Sequence, residues 1–363
     1  MSAMVRRSAH RPLATALTAL AIATLTAACA SATPAPSPTP TPTPPYGLPP
    51  LELPADEAPH DFQTEWWYFN VHLSGEDGRR YALHDVVFQI QEVDSGRTLY
   101  VRQSGFADVS AGTHVTAERM RSEPEPLSAL DGGFRAVFGD RFVSAEDGRR
   151  YRLVGEVGTA AYDLTLLATA RPLVHHDDGL VDFGEAGITY YYSRPRLDVS
   201  GTVTRAGGAA VPVTGLGWMD RQWGNFQPVT IGWDWASVQL DDGTDLMLTR
   251  VFDAGRRTIE SYATLRRGDG AVRLLGASEF EFAPTGPSWT SPRTGTSYAT
   301  SWRVAVPGEV DEFTLEPLVG DNEFVSGVLG VVYWESGAVA RAPDGRVVGQ
   351  GFVELNWPRG TTP

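Results

Sequence analysis

From about residue 60 onward, apolar and polar residues alternate with a period of two. Leu197, Val199 and Val203 share one face of such a run, with Asp198, Ser200, Thr202 and Thr204 on the other. Tyr162, Leu164, Leu166 and Ala168 alternate with Asp163, Thr165 and Thr169, and Val353, Leu355 and Trp357 with Glu354 and Asn356. Successive side chains of a strand point to opposite faces, so this pattern predicts antiparallel sheets with one buried and one polar face. Asp-Gly pairs beginning at residues 77, 131, 147, 178, 242, 269 and 344 punctuate the runs. Between apolar stretches they predict hairpins closed by type I′ turns. EDGRRY, at Glu76 and again at Glu146, reads as the same hairpin turn used twice. No stretch carries a long helical period; Val115 to Met120 offers at best one short turn. Many short strands predict sandwiches or barrels, and roughly 300 residues overfill one small barrel. The expected fold is therefore all-β, with two antiparallel barrel-like units in tandem.

The first 58 residues follow a different pattern. Arg6, Arg7 and Arg11 precede an apolar, Ala-rich run from Leu13 to Ala28, the composition of a signal peptide over residues 1–28. The run is short for a membrane span. Cys29, the single cysteine, follows small residues as at a bacterial lipoprotein cleavage site, although Thr26 stands where a larger aliphatic residue is usual. Cys29 is therefore the expected lipidation site, in preference to a signal cut between Ala28 and Ala30. Residues 29–58 are a Pro/Thr-rich linker too poor in apolar residues to form a core. The expected location is extracytoplasmic, on a membrane-anchored lipoprotein or otherwise as a secreted protein, with the lipid anchor as the sole membrane contact.

Charge narrows the partners. Acids outnumber basic residues 44 to 30, every basic residue is arginine, and the net charge is −14. Losing the leader removes three arginines and no acid. A surface this acidic repels phosphate backbones, which argues against nucleic acid as a partner.

Candidate chemistry concentrates between Gly215 and Trp235, which holds Trp218, Trp223, Trp233 and Trp235 beside Asp220 and Asp234. An apolar wall with a few polar groups is the composition of a small-molecule pocket; strand packing with outward acids is the alternative. Glu65, Trp66 and Trp67 form a second acid–tryptophan cluster, and Tyr190, Tyr191 and Tyr192 an aromatic block. His175, His176, Asp177 and Asp178 match no zinc or calcium spacing and read as a solvated loop, so no metal site is expected. His72 and His84 lie on expected strands and face either a cavity or the core. There is no G-x-S-x-G elbow, no thiol in the mature chain and no nucleotide-binding glycine motif.

HDFQTEWWYF, TYYYSRPRL, TGLGWMDRQWG, GWDWASVQLDDG, SWTSPRTG, VVYWES and GFVEL, in this order, resemble the AttH-like/carotenoid 1,2-hydratase family across about residues 58–357. The resemblance implies two lipocalin-like β-barrels, here expected over residues 59–225 and 226–358. Many relatives carry histidine where this chain has Arg221, which cannot shuttle protons. By that resemblance the ligand is a hydrophobic small molecule and the activity a hydro-lyase reaction on an unsaturated terpenoid or polyketide-like substrate. A carboxyl desolvated among tryptophans retains its proton and can act as the acid. Asp220 is the expected acid, with Asp234 and Glu65 in reserve. Trp66, Trp67, Tyr191, Trp218, Trp223, Trp233 and Trp235 would line the cavity. The scheme calls for no cofactor. The alternatives are a non-catalytic lipophilic carrier and a secreted hydrolase.

Overall fold

In the computed structural model, residues 45–92, 95–122 and 126–361 are described. Cys29 and the proposed signal segment lie outside them. Every long element is a strand, and the strands form two antiparallel sheets, each curled into a half-barrel. The first sheet has thirteen strands. Its opening strand, Thr64–Gly75, pairs on one side with Arg80–Gln91, which continues the meander to Thr98–Asp108 and Thr113–Arg121. On the other side it pairs along its whole length with Ala210–Phe226. That strand pairs in turn with Gly187–Thr204, which leads back through Ala160–Ala168 to Leu127–Leu130. The second sheet has ten strands and the same plan. Its opening strand, Gly232–Leu240, pairs with the next strand, Asp245–Phe252, and with the last, Val347–Asn356. The last strand pairs with Val332–Arg341.

The expected alternation is present, and it sorts side chains into three cores. Trp67, Phe69 and Val71 point into the first half-barrel, and Ala236, Val238, Val353 and Leu355 into the second. The intervening residues Tyr68, Trp235 and Phe352 belong to a third core between the two sheets. The "outer" face of the central strands is therefore not solvated; it is where the sheets meet.

Two local expectations change. The glycines of all seven Asp-Gly pairs have positive φ, but their aspartates do not. At the first pair, Gly78 N–H donates to Gly75 and Gly75 N–H to the Arg79 carbonyl, and the Asp77 carboxylate accepts from Arg79 N–H. One left-handed glycine closes a longer loop, so the turns are not type I′. Val115 to Met120 is not a helical turn but part of the strand Thr113–Arg121.

The two sheets also match in sequence at their last strands. GLGWMDRQW (215–223) and GQGFVELNW (349–357) occupy the same place in each. Tyr68 pairs with Asp220 as Trp235 pairs with Glu354, and Trp66 pairs with Gln222 as Trp233 pairs with Asn356. Equivalent residues touch across the junction. The Tyr68 and Trp235 rings meet edge to face at 5.5 Å, and Asn70 donates to the Ser237 hydroxyl at 3.1 Å. Contacts between equivalent positions are what a local two-fold arrangement produces.

Candidate active site

A cleft opens at this junction, with roughly 1130 Å³ of empty space including its solvent-open mouth. Neither half-barrel encloses it. The central strands of both sheets form its walls, and the connection Pro228–Ile231 and residues Leu329 and Val331 form its rim. Trp66, Phe88, Phe226, Trp233 and Trp235 belong to its apolar wall. Three carboxyl groups converge on it: Asp220 from the first sheet, and Glu335 and Glu354 from the second.

Asp220 is 4% exposed and is held by three donors. The Tyr191 and Ser193 hydroxyls donate to it at 2.5 Å each, and the Trp218 indole N–H at 2.6 Å. Burial pushes its carboxyl up to about 6, and the three donors hold it from going higher. Behind Ser193 stands His175, fully buried, with Nε2 at 2.9 Å from the Ser193 hydroxyl and Nδ1 at 2.8 Å from that of Thr264. Ser193 gives its one proton to Asp220, so His175 donates from Nε2 and accepts at Nδ1. Burial drops this histidine to about 3, which keeps it in that neutral form. The expectation of a solvated His175 loop is thus corrected. Asp177 and Asp178 are exposed, but His175 turns inward because Ser193 and Thr264 satisfy both ring nitrogens.

Glu335 and Glu354 face each other across paired strands. Directly opposed residues on one face lie about 5 Å apart at Cβ, so the two carboxyls interact strongly. Burial pushes Glu354 up to about 8, opposed by a hydrogen bond from Trp233 and reinforced by the charge of Asp220. Burial and the Glu354 charge push Glu335 well above the usual carboxylate range, opposed by the hydrogen bond from Tyr68. The Tyr68 hydroxyl donates to Glu335 Oε1 at 2.5 Å, and His84 Nδ1 lies 3.2 Å from Oε2. At neutral pH the pair holds protons while Asp220 is mostly ionised.

The remaining expected residues divide by strand parity. Trp66, Tyr191, Trp233 and Trp235 line the cleft. Trp218 stands behind Asp220 and orients it. Glu65, Trp67 and Trp223 point the other way, with Arg221, into the first half-barrel. Arg221 is fully buried between the Trp67 and Trp223 rings, 4.0 and 4.7 Å from their centroids, and forms an ion pair with Glu65. Neighbouring strand residues face opposite ways, so Arg221 cannot reach Asp220's side of the sheet. Asp234, likewise on the inward face, pairs with Arg250. Neither Glu65 nor Asp234 reaches the cleft. Glu335 and Glu354 were not singled out by their local sequence, because each reads as the solvent-facing residue of an ordinary strand. The correspondence of GLGWMDRQW with GQGFVELNW carried the signal: it places Glu354 where the first half has Asp220.

Comparison with known proteins gives a consistent result. A family model described as AttH-like matches residues 43–357. A kievitone hydratase of Fusarium solani subsp. phaseoli is 22% identical over 316 residues, covering 84% of this chain and 86% of that one. The dehydratase asqC of Emericella nidulans is 26% identical over 252 residues, covering 66% of this chain and 65% of that one. A solved structure described as an AttH of Nitrosomonas europaea is 29% identical, with a TM-score of 0.76 over 85% of this chain and 98% of that one.

Proposed function

This chain belongs to the AttH-like family, and on that premise we propose that it is a hydro-lyase that adds water to, or removes it from, an unsaturated small molecule held between its two half-barrels. The observation that carries this is the convergence of an ionised carboxylate and a proton-holding carboxyl pair on one aromatic cleft. The relatives named hydratase and dehydratase support the same reaction class.

In the hydration direction, the Glu354 carboxyl, buffered by Glu335, gives its proton to an alkene carbon. The positive charge that develops on the neighbouring carbon faces the indoles of Trp233 and Trp235. A water attacks that carbon and loses a proton to Asp220. Dehydration runs the same steps backward: Asp220 protonates the departing hydroxyl, and Glu354 takes the proton from carbon. The two groups need different affinities for the proton, and the triple donor set on Asp220 against the stacked acids at Glu354 provides that difference. The role first expected for Asp220, the acid, thus passes to Glu354 in the hydration direction.

The direct test is to incubate the folded protein with an organic extract of its host and follow gain or loss of one water by mass spectrometry. Wild type changes the extract, and Asp220→Asn does so far more slowly. An extract that wild type leaves unchanged, with lipid still bound, would leave a carrier and remove the enzyme; equal turnover by the two proteins would remove Asp220 from the chemistry.

A pH profile gives a second check. The kcat/KM should rise through about 6 as Asp220 ionises and fall through about 8 as Glu354 loses its proton. In the residual activity of Asp220→Asn the lower limb vanishes. The upper limb also moves to lower pH, because the Asp220 charge helps to hold the Glu354 proton. Limbs that stay in place in this variant would count against both assignments.

A further inference from the structure

Three polar groups in the cleft are without a protein partner. Gln222 and Asn356 are each 5% exposed and line the cleft, yet neither carboxamide makes a hydrogen bond to a described residue. The Tyr262 hydroxyl lines the cleft too, fully buried and unpaired. Leaving a buried polar group unpaired is costly, and native proteins do it seldom. Here the Tyr262 hydroxyl is such a group, and two carboxamides with no protein partner line the same cleft.

Their placement is regular. Gln222 lies two residues beyond Asp220, and Asn356 two beyond Glu354. Residues two apart on a strand share a face about 7 Å from each other. Trp66 pairs with Gln222, and Trp233 with Asn356. The cleft therefore holds two like stations, one per sheet, each made of a carboxyl, a carboxamide and an indole. Neither arginine nor histidine lines it among the described residues. The ionised Asp220, with no cation in the lining to offset it, disfavours carboxylate and phosphate ligands.

We infer that the substrate is a neutral, oxygenated molecule carrying at least two hydroxyl or carbonyl groups, one bound by Gln222 and one by Asn356, rather than a hydrocarbon polyene. This deepens the hydro-lyase reading and rests on it for the word substrate. One station holds an oxygen group while the other station's carboxyl works on the double bond. A carboxamide both donates and accepts, so each station takes either a hydroxyl or a carbonyl. A hydrocarbon would leave both amides and Tyr262 unpaired, the situation in which a polar site discriminates most strongly.

The test is a titration of the full chain by tryptophan fluorescence with dihydroxyflavanone, with unsubstituted flavanone and with the linear hydrocarbon farnesene. Dihydroxyflavanone should bind at least about tenfold tighter than flavanone, the worth of one net hydrogen bond. Gln222→Leu and Asn356→Leu should each weaken dihydroxyflavanone about tenfold and leave farnesene, which carries no oxygen, unweakened. Farnesene serves as the control for folding; if a leucine variant loses it, Gln222→Met or Asn356→Ser replaces that variant. Farnesene or flavanone binding as tightly as dihydroxyflavanone, or a preference that survives both substitutions, overturns the inference. The same titration on Asp220→Asn and Glu354→Gln separates the two readings. Oxygen-dependent binding without any turnover by wild type would remove the hydro-lyase and keep the two stations. Turnover of a hydrocarbon would do the reverse.

Discussion

Glu354→Gln is expected to lower turnover by roughly a hundred- to ten-thousandfold, the span attributed to a positioned general acid or base, while making the protein more stable at alkaline pH. The two effects have one cause. Glutamine keeps the shape of a protonated glutamate and its ability to donate a hydrogen bond, but it has no proton to give to carbon. The sign of the stability change follows from linkage. In the folded state Glu354 holds its proton up to about 8, whereas an unfolded glutamate releases it near the ordinary carboxylate value. The folded form therefore binds more protons across that window, and wild-type stability falls as pH rises through it. Glutamine removes the Glu354 contribution to this dependence. Thermal melts should coincide at about pH 5 and show a higher midpoint for the variant at about pH 9. Glu335→Gln should behave the same way in stability, since burial and the Glu354 charge raise its carboxyl as well. A Glu354→Gln protein that retains turnover would remove Glu354 from the chemistry, whatever its melting behaviour. A variant that is inactive and also unstable at alkaline pH would point to a structural role instead. Loss of activity with gain of stability is the signature of a group kept for function.

Arg221→Leu is expected to cost about 3 kcal/mol of folding stability, because it takes the arginine from the buried Glu65 carboxylate and leaves that charge to His60 and Gln89 alone. Arg221 also donates to the Ala58 carbonyl at 2.9 Å, tying the segment before the first strand to the last strand of that sheet. Its guanidinium is stacked between two indoles, so lysine is no substitute for its flat, forked geometry. Chemical denaturation of wild type, Arg221→Leu and the double variant Glu65→Leu/Arg221→Leu would measure this. The double variant should recover part of the loss, since it removes the uncompensated charge but takes from His60 and Gln89 the carboxylate they bind. Turnover per folded molecule should change little in all three, because this pair faces the interior of the first half-barrel and not the cleft. Loss of turnover in a fully folded Arg221→Leu protein would show that the pair serves the site as well.

The strand pattern was legible because it depends on local sequence. Period two and Asp-Gly punctuation report which residues alternate, and a strand obeys that alternation wherever it lies. Part of the site was legible for the same reason. Asp220, Trp66, Tyr191, Trp233 and Trp235 stand out by residue type and do meet at the cleft. Glu65 and Asp234 stood out equally and point away from it. One residue of displacement along a strand reverses the face, so clustering by type cannot separate Asp220 from its neighbour Arg221. The type of turn also escaped the local reading, because whether one or two residues take positive φ depends on how many residues the flanking strands leave to the loop.

Sequence by itself determined that this chain is all-β, that two groups of strands succeed one another, and that acids and tryptophans crowd the strands that become central. Tertiary structure alone decided what the polar face of those strands meets. Glu335, Glu354, Gln222 and Asn356 would be ordinary surface residues on an isolated half-barrel. Packing the two sheets face to face buries Glu335, Gln222 and Asn356 and half-buries Glu354, raises both glutamates and leaves both amides without protein partners. Desolvation belongs to the packed assembly and not to any stretch of chain, and the chemistry proposed for this cleft depends on it.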